Sequence, residues 1–330
     1  MATNLKFGLL LPHLSEQATS EKCLEGARRA EAYGFDSVWV RDHLVFKPHA
    51  IESNDNTHIE GLLLLSAIAS TTKRVTLGTA MAICHRHPIH LAQSFAGLSE
   101  ISNGRVILGM GLGGFAHEFA AAGRPTALPE RTKLAKIINV EIYRRLWAGE
   151  EISHASDYFQ FDNVSLKPKP VKPIPIWIGG GTSASCRRAA DHGDGWMPAR
   201  ITLATFANRV EYLIELCRQA GKSTVDIAVM PLTTIVKNHE TSLRGVNLNA
   251  LLDDSYNFST WIKPASGKFS TLEDLRGAFL AGKPDEIASE TRAYENAGAN
   301  HIVYDLRLRF ADWYEQIDLL GTEVLPALRA

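Results

Sequence analysis

The sequence lacks the features that mark secreted, membrane-spanning or nucleic-acid-binding chains. Its four cysteines lie far apart and form no CxxC pair, so the pattern predicts ordinary reduced thiols. The formal net charge is only −1 and no basic tract occurs, which predicts neither a nucleic acid nor a membrane as a partner. No apolar run approaches the roughly 20 residues that cross a bilayer, and the first residues show no signal-peptide pattern. We therefore expect a cytoplasmic protein.

The 330 residues instead alternate short apolar strands with amphipathic helices along the whole chain. The predicted strands are Leu5–Leu11, Ser37–Arg41, Val75–Ala82, Val106–Met110, Ile176–Ile178, Gly195–Pro198, Val225–Ile235 and His301–Leu306. Because each strand is followed by a helix, the pattern predicts the α/β class and, within it, a (β/α)8 TIM barrel. The composition does not change along the chain, so we expect a single domain over residues 1–330.

Two segments interrupt the alternation and are interpreted as insertions on the barrel. The first, residues 149–175, follows the helix after strand 4 and is rich in proline and aromatic residues. The second, residues 237–282, follows strand 7 and contains Tyr256, Phe258 and Trp261. We predict that these three aromatic residues belong to a lid over the substrate.

In a barrel of this kind, chemistry is expected where the strands end, at the C-terminal mouth. The polar and aromatic candidates at these ends are His13, Asp42, His43, Trp196, Arg200, Asp305 and Arg307. Among them, His43 has a side chain that titrates near neutral pH, and the carboxylate of Asp42 beside it can raise that pKa. We predict His43 as a general acid or base with Asp42 as its partner; a purely structural pair is the alternative.

Three consecutive glycines, Gly179, Gly180 and Gly181, separate the fifth strand from its helix. Such a turn brings bare backbone N–H groups to a helix N-terminus, where an anion is favoured, and Thr182 adds a hydroxyl. The pattern therefore predicts a phosphate cradle. The alternative is a tight turn in which Thr182 or Ser183 caps the helix.

A second glycine-rich run, from Gly109 to Gly114, matches GxGxxG after the fourth strand. It does not open the fold, and no strand ends in an acidic residue about 20 positions later, which argues against a dinucleotide fingerprint. We expect close approach of the backbone to a planar ligand, or a plain loop.

Four other histidines, His85, His87, His90 and His117, are candidates for metal binding or for a place in the site. His85, His87 and His90 have no carboxylate or cysteine close by in sequence, so no metal site is predicted. The pair His117-Glu118, after the fourth strand, either lines a pocket or begins a solvated helix. No GxSxG motif occurs, which leaves hydrolase chemistry with little support.

Taken in order, the motifs resemble those of the bacterial luciferase-like flavin and deazaflavin oxidoreductases. The matching segments are Phe7–Pro12, Gly34–His43, Leu77–Ala80, Arg86–Pro88, Ser102–Gly109, Pro175–Thr182 and Asp194–Trp196. Each segment alone is weak evidence, whereas the ordered set is specific. The final third of the chain resembles the family only through its predicted helices and strands.

The resemblance implies that the deazaflavin F420 or FMN lies with its ring over the strand ends. It also implies that a non-proline cis peptide at Ala80–Met81 supports the ring, that His43 contacts it, and that the Gly179–Thr182 loop holds the phosphate. The complete predicted cofactor-binding set is Asp42, His43, Ala80, Met81, Gly109, Gly111, Gly179, Gly180, Gly181, Thr182 and Trp196.

The choice of cofactor decides the expected reaction. A second strand that ends in Asp-His resembles the F420-using branch, which implies hydride transfer to or from a small organic substrate. FMN stays open as the alternative: FMNH2 would imply monooxygenation through a C4a-peroxide, with a separate flavin reductase as partner. Further alternatives are a non-catalytic flavin-binding subunit and a hydrolase or aldolase on the same barrel. A homodimer is the family expectation.

Overall fold

The computed structural model describes residues 4–48, 51–52, 54–253 and 259–330. Its strands are β1 Lys6–Leu10, β2 Ser37–Val40, β3 Thr76–Thr79, β4 Ala82–Ile83, β5 Val106–Gly111, β6 Ile152–Ala155, β7 Gln160–Val164, β8 Ile176–Gly179, β9 Gly195–Met197, β10 Asp226–Val229, β11 Leu232–Ile235, β12 Phe279–Gly282 and β13 His301–Tyr304. Parallel pairing runs in the order β3-β2-β1-β13-β10-β9-β8-β5, and β5 pairs with β3 to close the ring. The predicted eight-stranded (β/α)8 barrel is therefore confirmed.

Helices surround this barrel. They are α1 Ser20–Tyr33, α2 Gly61–Thr71, α3 Pro88–Ser102, α4 Ala116–Ala121, α5 Arg131–Lys136, α6 Arg144–Ala148, α7 Ser183–His192, α8 Leu203–Gln219, α9 Leu248–Leu252, α10 Pro284–Asn296, α11 Trp313–Leu319 and α12 Leu325–Arg329. A π-helical segment, Ile137–Tyr143, joins α5 to α6, and a second, Leu320–Val324, joins α11 to α12. Helix ends follow local sequence: Pro88 occupies the first turn of α3, and Asn103 ends it with a φ of +56°.

Two predicted strands and the first insertion differ from expectation in detail. The third predicted strand is divided into β3 and β4, and the peptide bond between them, Ala80–Met81, is cis as the resemblance implied. The seventh predicted strand is divided at Pro231, which has no N–H group to donate to a neighbouring strand. Its first part, β10, stays in the barrel, whereas its second part, β11, pairs with β12 outside the barrel. The first insertion contains an antiparallel hairpin of β6 and β7.

Indole rings fill the barrel interior because glycines on neighbouring strands leave room for them. The rings of Trp39 and Trp177 stack with centroids 5.3 Å apart. A Cβ added to Gly78 would lie 2.3 Å from the Trp39 ring, and one added to Gly195 would lie 2.4 Å from Trp177. The inner core contains Leu10, Trp39, Trp177, Met197, Ala228, Met230 and Val303, with Ala80 and Met81 packed against it. The barrel is therefore a filled core that carries its site at the mouth.

Candidate functional site

Polar side chains from distant segments meet at the C-terminal mouth of the barrel. The first two strands are joined there by His13, whose Nε2 accepts the backbone N–H of Arg41 at 2.9 Å, and whose Nδ1 lies 2.8 Å from the carbonyl oxygen of Ile59. Both ring nitrogens of His13 are thus in use, and burial lowers its pKa to about 3. His13 is therefore a neutral structural group that holds the mouth together.

His43 contacts a carboxylate, but the carboxylate belongs to Glu118 on α4. The Nδ1 atom of His43 lies 3.1 Å from Oε1 of Glu118, and its Nε2 lies 3.0 Å from Nη2 of Arg41. Since the guanidinium can only donate, Nε2 accepts and the ring proton lies on Nδ1, facing Glu118. The arrangement leaves Nε2 as the atom with the lone pair.

Glu118 is held as an anion inside the protein. Its side chain is 1% exposed. Burial acts to raise the pKa of Glu118, but the hydrogen bond and charge of His43, together with the backbone N–H of Val45, lower it overall. The N–H of Leu44 also donates to Oε1 at 3.0 Å. A carboxylate fixed in this way can orient the imidazole of His43 and stabilise a positive charge on it.

Asp42 has a different partner from the one predicted. Both of its oxygens accept hydrogen bonds from Arg86, whose Nε lies 2.9 Å from each, and the backbone N–H of Ile83 donates to Oδ2 at 3.0 Å. Burial acts to lower the pKa of Arg86, but Asp42 and Glu60 raise it overall. Asp42 therefore ties the end of β2 to the segment after β4. The prediction that Asp42 is the partner of His43 is corrected, because the hydrogen bonds of Asp42 go to Arg86 and Ile83, whereas those of His43 go to Glu118 and Arg41.

A buried network of four charges lies beside His43. Arg41 contacts Glu52 at 2.5 Å, and Arg307 contacts both Glu52, at 2.8 Å, and Asp305, at 2.5 Å. Burial and the charge of Arg307 lower the pKa of Arg41 to about 10, although Glu52 opposes the shift. Burial acts to lower the pKa of Arg307, which Asp305 and Glu52 nevertheless raise. Two cations and two anions compensate one another there, and Arg41 of this network contacts His43.

Three of the predicted cofactor-binding glycines form a socket for Met81. A Cβ added to Gly109 would lie 2.7 Å from Sδ of Met81, one added to Gly111 2.9 Å from its Cβ, and one added to Gly179 2.7 Å from its Cγ. These glycines therefore let the bulge at Ala80–Met81 pack against β5 and β8. Their direct contact with a cofactor stays a prediction.

Replacement of Gly179 with alanine should lower the free energy of unfolding by about 1–3 kcal/mol, because the new methyl displaces the Met81 side chain. Urea unfolding followed by circular dichroism measures the effect. Gly97, in the middle of α3, is the matched control because an added Cβ there meets nothing within 4 Å. Gly97→Ala should stabilise the helix by about 0.5–1 kcal/mol. Equal effects of both substitutions would contradict the socket.

The Gly180–Thr182 loop has the geometry of an anion cradle. Gly180 is exposed and has a φ of +116°, which favours glycine. Within the described residues, no hydrogen bond uses the backbone N–H of Gly180, Gly181 or Thr182. The Thr182 hydroxyl accepts the N–H of Ser185, so Thr182 also caps α7 as the alternative interpretation expected. The unused N–H groups point to an oxyanion in addition to the cap.

Trp196 supports this loop from beneath. Its side chain is fully buried, and its Nε1 donates to the carbonyl oxygen of Gly180 at 2.8 Å. The hydroxyl of Ser185 donates to the same oxygen at 2.6 Å. Trp196 therefore positions the cradle and presents no surface to a ligand, unlike the direct cofactor contact predicted for it.

The remaining points for the mouth concern the predicted aromatic lid and the possibility of a metal site. Trp261 is buried, its neighbour Ile262 donates its N–H to Thr205 of α8, and Tyr256 and Phe258 lie outside the described residues, so the lid stays a prediction. Among the described residues, no three His, Cys, Asp or Glu side chains come together as ligands for a metal ion.

The sequence analysis did not place four residues of the site beside His43: Glu118, Arg41, Arg86 and Glu52. Glu118 was predicted only to line a pocket or to begin a solvated helix, and its place in the first turn of a helix after a barrel strand was the signal available. Arg41 ends the second predicted strand and Arg86 comes four residues after the third, so their positions gave the same signal. No local pattern marks Glu52, which comes from the loop between β2 and α2.

A filled (β/α)8 barrel with a cis peptide bond after β3, a polar mouth and a glycine loop with unused N–H groups after the fifth barrel strand defines the class of this protein. The family model described as luciferase-like monooxygenase matches residues 5–301. The chain belongs to this luciferase-like monooxygenase family, and the resemblance predicted from the ordered motifs is confirmed.

Proteins similar to this chain include enzymes that use F420. An F420-dependent glucose-6-phosphate dehydrogenase of Amycolatopsis mediterranei is 28% identical over 96% of this chain and 97% of its own length. An F420-dependent hydroxymycolic acid dehydrogenase of Mycobacterium tuberculosis is 33% identical over 58% of this chain and 51% of its own length. Among solved structures, an F420-dependent secondary alcohol dehydrogenase in complex with an F420-acetone adduct aligns over 100% of both chains, with a TM-score of 0.82 and 24% identity. At that identity the structural match supports the fold alone.

Proposed function

We propose that this chain is an F420-dependent oxidoreductase that transfers hydride between the cofactor and a small organic substrate. The observation that carries the proposal is the buried Glu118–His43 pair at the mouth of the barrel, in which the lone pair of the imidazole is on Nε2 and accepts a hydrogen bond from Arg41. The two relatives named above support F420 rather than FMN as the cofactor, and they act on different substrates according to their names. An alcohol is the substrate class that this proton acceptor fits best.

The residues present fit a phosphate-bearing cofactor. Gly180, Gly181 and Thr182 offer backbone N–H groups at the N-terminus of the ten-residue helix α7, where the helix dipole adds to the attraction. The cis bulge at Ala80–Met81 lies across the mouth on top of the filled core, so a ring would rest on it. When bound, F420 would supply the acceptor or donor of the hydride.

The chain itself handles the proton. Oxidation of an alcohol releases a hydride from carbon and a proton from the hydroxyl, and Nε2 of His43 is the atom placed to accept that proton. This proton makes the imidazole of His43 positively charged, and the anionic Glu118 beside Nδ1 stabilises that positive charge. Arg41 leaves Nε2 when the hydroxyl takes its place, and Glu52 keeps the guanidinium paired.

Titration of the protein with F420, FMN and FMNH2, followed by fluorescence and calorimetry, tests the cofactor directly. We expect binding of F420 and, with a panel of alcohols, reduction of F420 that depends on the protein. Binding of FMNH2 with oxygen-dependent turnover would instead establish the monooxygenase. Binding without turnover across the panel would favour the non-catalytic subunit, and activity without either cofactor would favour the hydrolase or aldolase.

An aspartate introduced into the cradle should weaken F420 binding at least about tenfold, because its carboxylate repels the phosphate. Gly181 is suited to the test because an added Cβ there would meet Ile201 only at an ordinary 3.6 Å. Gly181→Asp is compared with Gly97→Asp, which adds the same charge at a half-buried position of α3 where an added Cβ meets nothing within 4 Å. The deazaflavin ring without its phosphate tail should bind both variants equally. Unchanged F420 affinity in Gly181→Asp would rule out this cradle.

The proposed enzyme forms a homodimer in the cytoplasm, and it works on small molecules without nucleic acid or membrane partners. Within the described residues, none of the helices combines the length and apolar character needed to cross a bilayer. Size-exclusion chromatography with light scattering measures the oligomeric state. A monomer at working concentration would remove the dimer from the proposal.

A further inference from the structure

A polar cavity lies beside Arg86, and its lining includes no residue of the Gly180–Thr182 loop. Its volume is about 390 Å³, within the range of small-molecule pockets. Its lining comprises Leu44, Leu62, His85, Arg86, His87, His90, Leu91, Ser94, Ala122 and Arg124, and it includes no carboxylate. We call it the His–Arg cavity.

His85 in this cavity has unmet hydrogen-bonding capacity. Its side chain is 2% exposed, and neither ring nitrogen has a hydrogen-bond partner in the described part of the chain. Oε2 of Glu118 lies 4.0 Å from Nε2 of His85, too far for a hydrogen bond. A buried polar group without a partner is costly, so a ligand that completes its hydrogen bonds would be stabilised.

Arg124 adds a cation that lacks an anionic partner. Among the described residues no carboxylate pairs with it; its Nη1 donates to the carbonyl oxygen of Tyr158 at 2.6 Å, and its guanidinium stacks 4.1 Å from the centre of the Phe159 ring. Arg86, in contrast, is paired with Asp42 and Glu60. The positive charge of the cavity therefore comes chiefly from Arg124, which is half-buried and oriented by the β6–β7 hairpin.

The two remaining histidines extend the same surface. The ring of His87 lies 5.2 Å from that of His90 and 5.4 Å from that of Phe159. Burial, with the charges of His90 and Arg124, lowers the pKa of His87, so the ring is a neutral donor beside the guanidinium. A metal ion does not fit this set, because no three such ligands converge in the described residues and Arg124 would repel a cation.

We propose that the His–Arg cavity binds an oxyanion, a phosphate or carboxylate group, through Arg124 and the imidazoles that line the cavity with it. A charged acceptor would pair with the guanidinium of Arg124, which no carboxylate of the lining occupies, and would receive hydrogen bonds from His85 and His90. Two sources supply such an oxyanion: the acidic tail of F420 and a separate acidic ligand. The site stands on the cavity itself and does not depend on the proposed reaction.

Calorimetric titration with inorganic phosphate tests the site, with Arg124→Gln and His90→Gln as the variants. We expect at least one of them to bind phosphate roughly tenfold more weakly than the wild type, as loss of a charge-assisted contact predicts. His90→Gln keeps the test valid if Arg124→Gln does not fold, since the His90 side chain is exposed at one end of the cavity. Arg218→Gln is the control, because Arg218 is an exposed arginine on α8 paired only with exposed groups.

Parallel titrations with F420 and with the tail-free deazaflavin distinguish the two sources. If the variants bind F420 more weakly but bind the tail-free deazaflavin as the wild type does, the oxyanion belongs to the cofactor tail. If they bind phosphate more weakly but bind F420 as the wild type does, the oxyanion belongs to a separate acidic ligand. Phosphate and F420 affinities equal to those of Arg218→Gln in both variants would overturn the site. If the site is overturned in this way but the wild-type protein binds F420, the proposed function still stands. If the wild-type protein binds phosphate in the His–Arg cavity but does not bind F420, the proposed function is rejected and the site still stands.

Discussion

Replacement of His43 with alanine is expected to lower turnover with F420 about 10²–10⁴-fold, the usual contribution of a general acid or base. The substitution removes Nε2, the atom proposed to accept the hydroxyl proton, and leaves Glu118 bound to the backbone N–H groups of Leu44 and Val45. Affinity for F420, measured by fluorescence, should change little, since the phosphate cradle is untouched. Steady-state kinetics then show the loss in kcat rather than in cofactor binding.

Glu118→Gln separates the proton acceptor from the group that positions it. The amide keeps the shape but removes the charge that stabilises protonated His43, so we expect a smaller loss, about 10–100-fold, and a changed pH profile of kcat. His154→Ala, in the β6–β7 hairpin, is the control for loss of an imidazole away from the mouth. Turnover of His43→Ala within a few-fold of this control would remove the catalytic role.

Replacement of Arg307 with methionine is expected to lower the free energy of unfolding by about 3–5 kcal/mol, the cost of breaking a buried ion pair from one side. The Arg307 side chain is 13% exposed and that of Asp305 only 1%. Arg41 still pairs with Glu52 in the variant, so Asp305 becomes the buried charge without a cation. Urea unfolding measures the effect as a shift of the midpoint.

Two further variants test whether charge is the cause. Arg218→Met removes an arginine that is 72% exposed and pairs with an exposed glutamate, and its effect should stay below about 1 kcal/mol. Adding Asp305→Leu to Arg307→Met should recover part of the loss, because a buried apolar pair avoids the unpaired carboxylate. A single variant Arg307→Met as stable as Arg218→Met would show that the network contributes no net stability.

Local sequence was sufficient for much of the architecture. The strand–helix alternation predicted the barrel. The glycines after the fifth barrel strand predicted a phosphate cradle; the N–H groups of this loop are unused in the described residues, and its binding of phosphate stays a prediction. The same reasoning failed at residues 225–235, where Pro231 ends the barrel strand and β11 pairs elsewhere. It also did not predict that Met81 packs against Gly109, Gly111 and Gly179, because side-chain packing across strands leaves no local pattern in the sequence.

The sequence by itself determined which residues stand at the ends of the barrel strands, because hydrophobic periodicity places each strand and the chain continues directly into the mouth. Only the tertiary structure decided which of those residues act together. His43 and Asp42 are neighbours in the chain, yet Asp42 pairs with Arg86, and Glu118 reaches His43 from 75 residues away. Likewise, Arg307 meets Glu52 across 255 residues. Such pairs depend on where separate segments come to lie after the barrel closes, which no local pattern encodes.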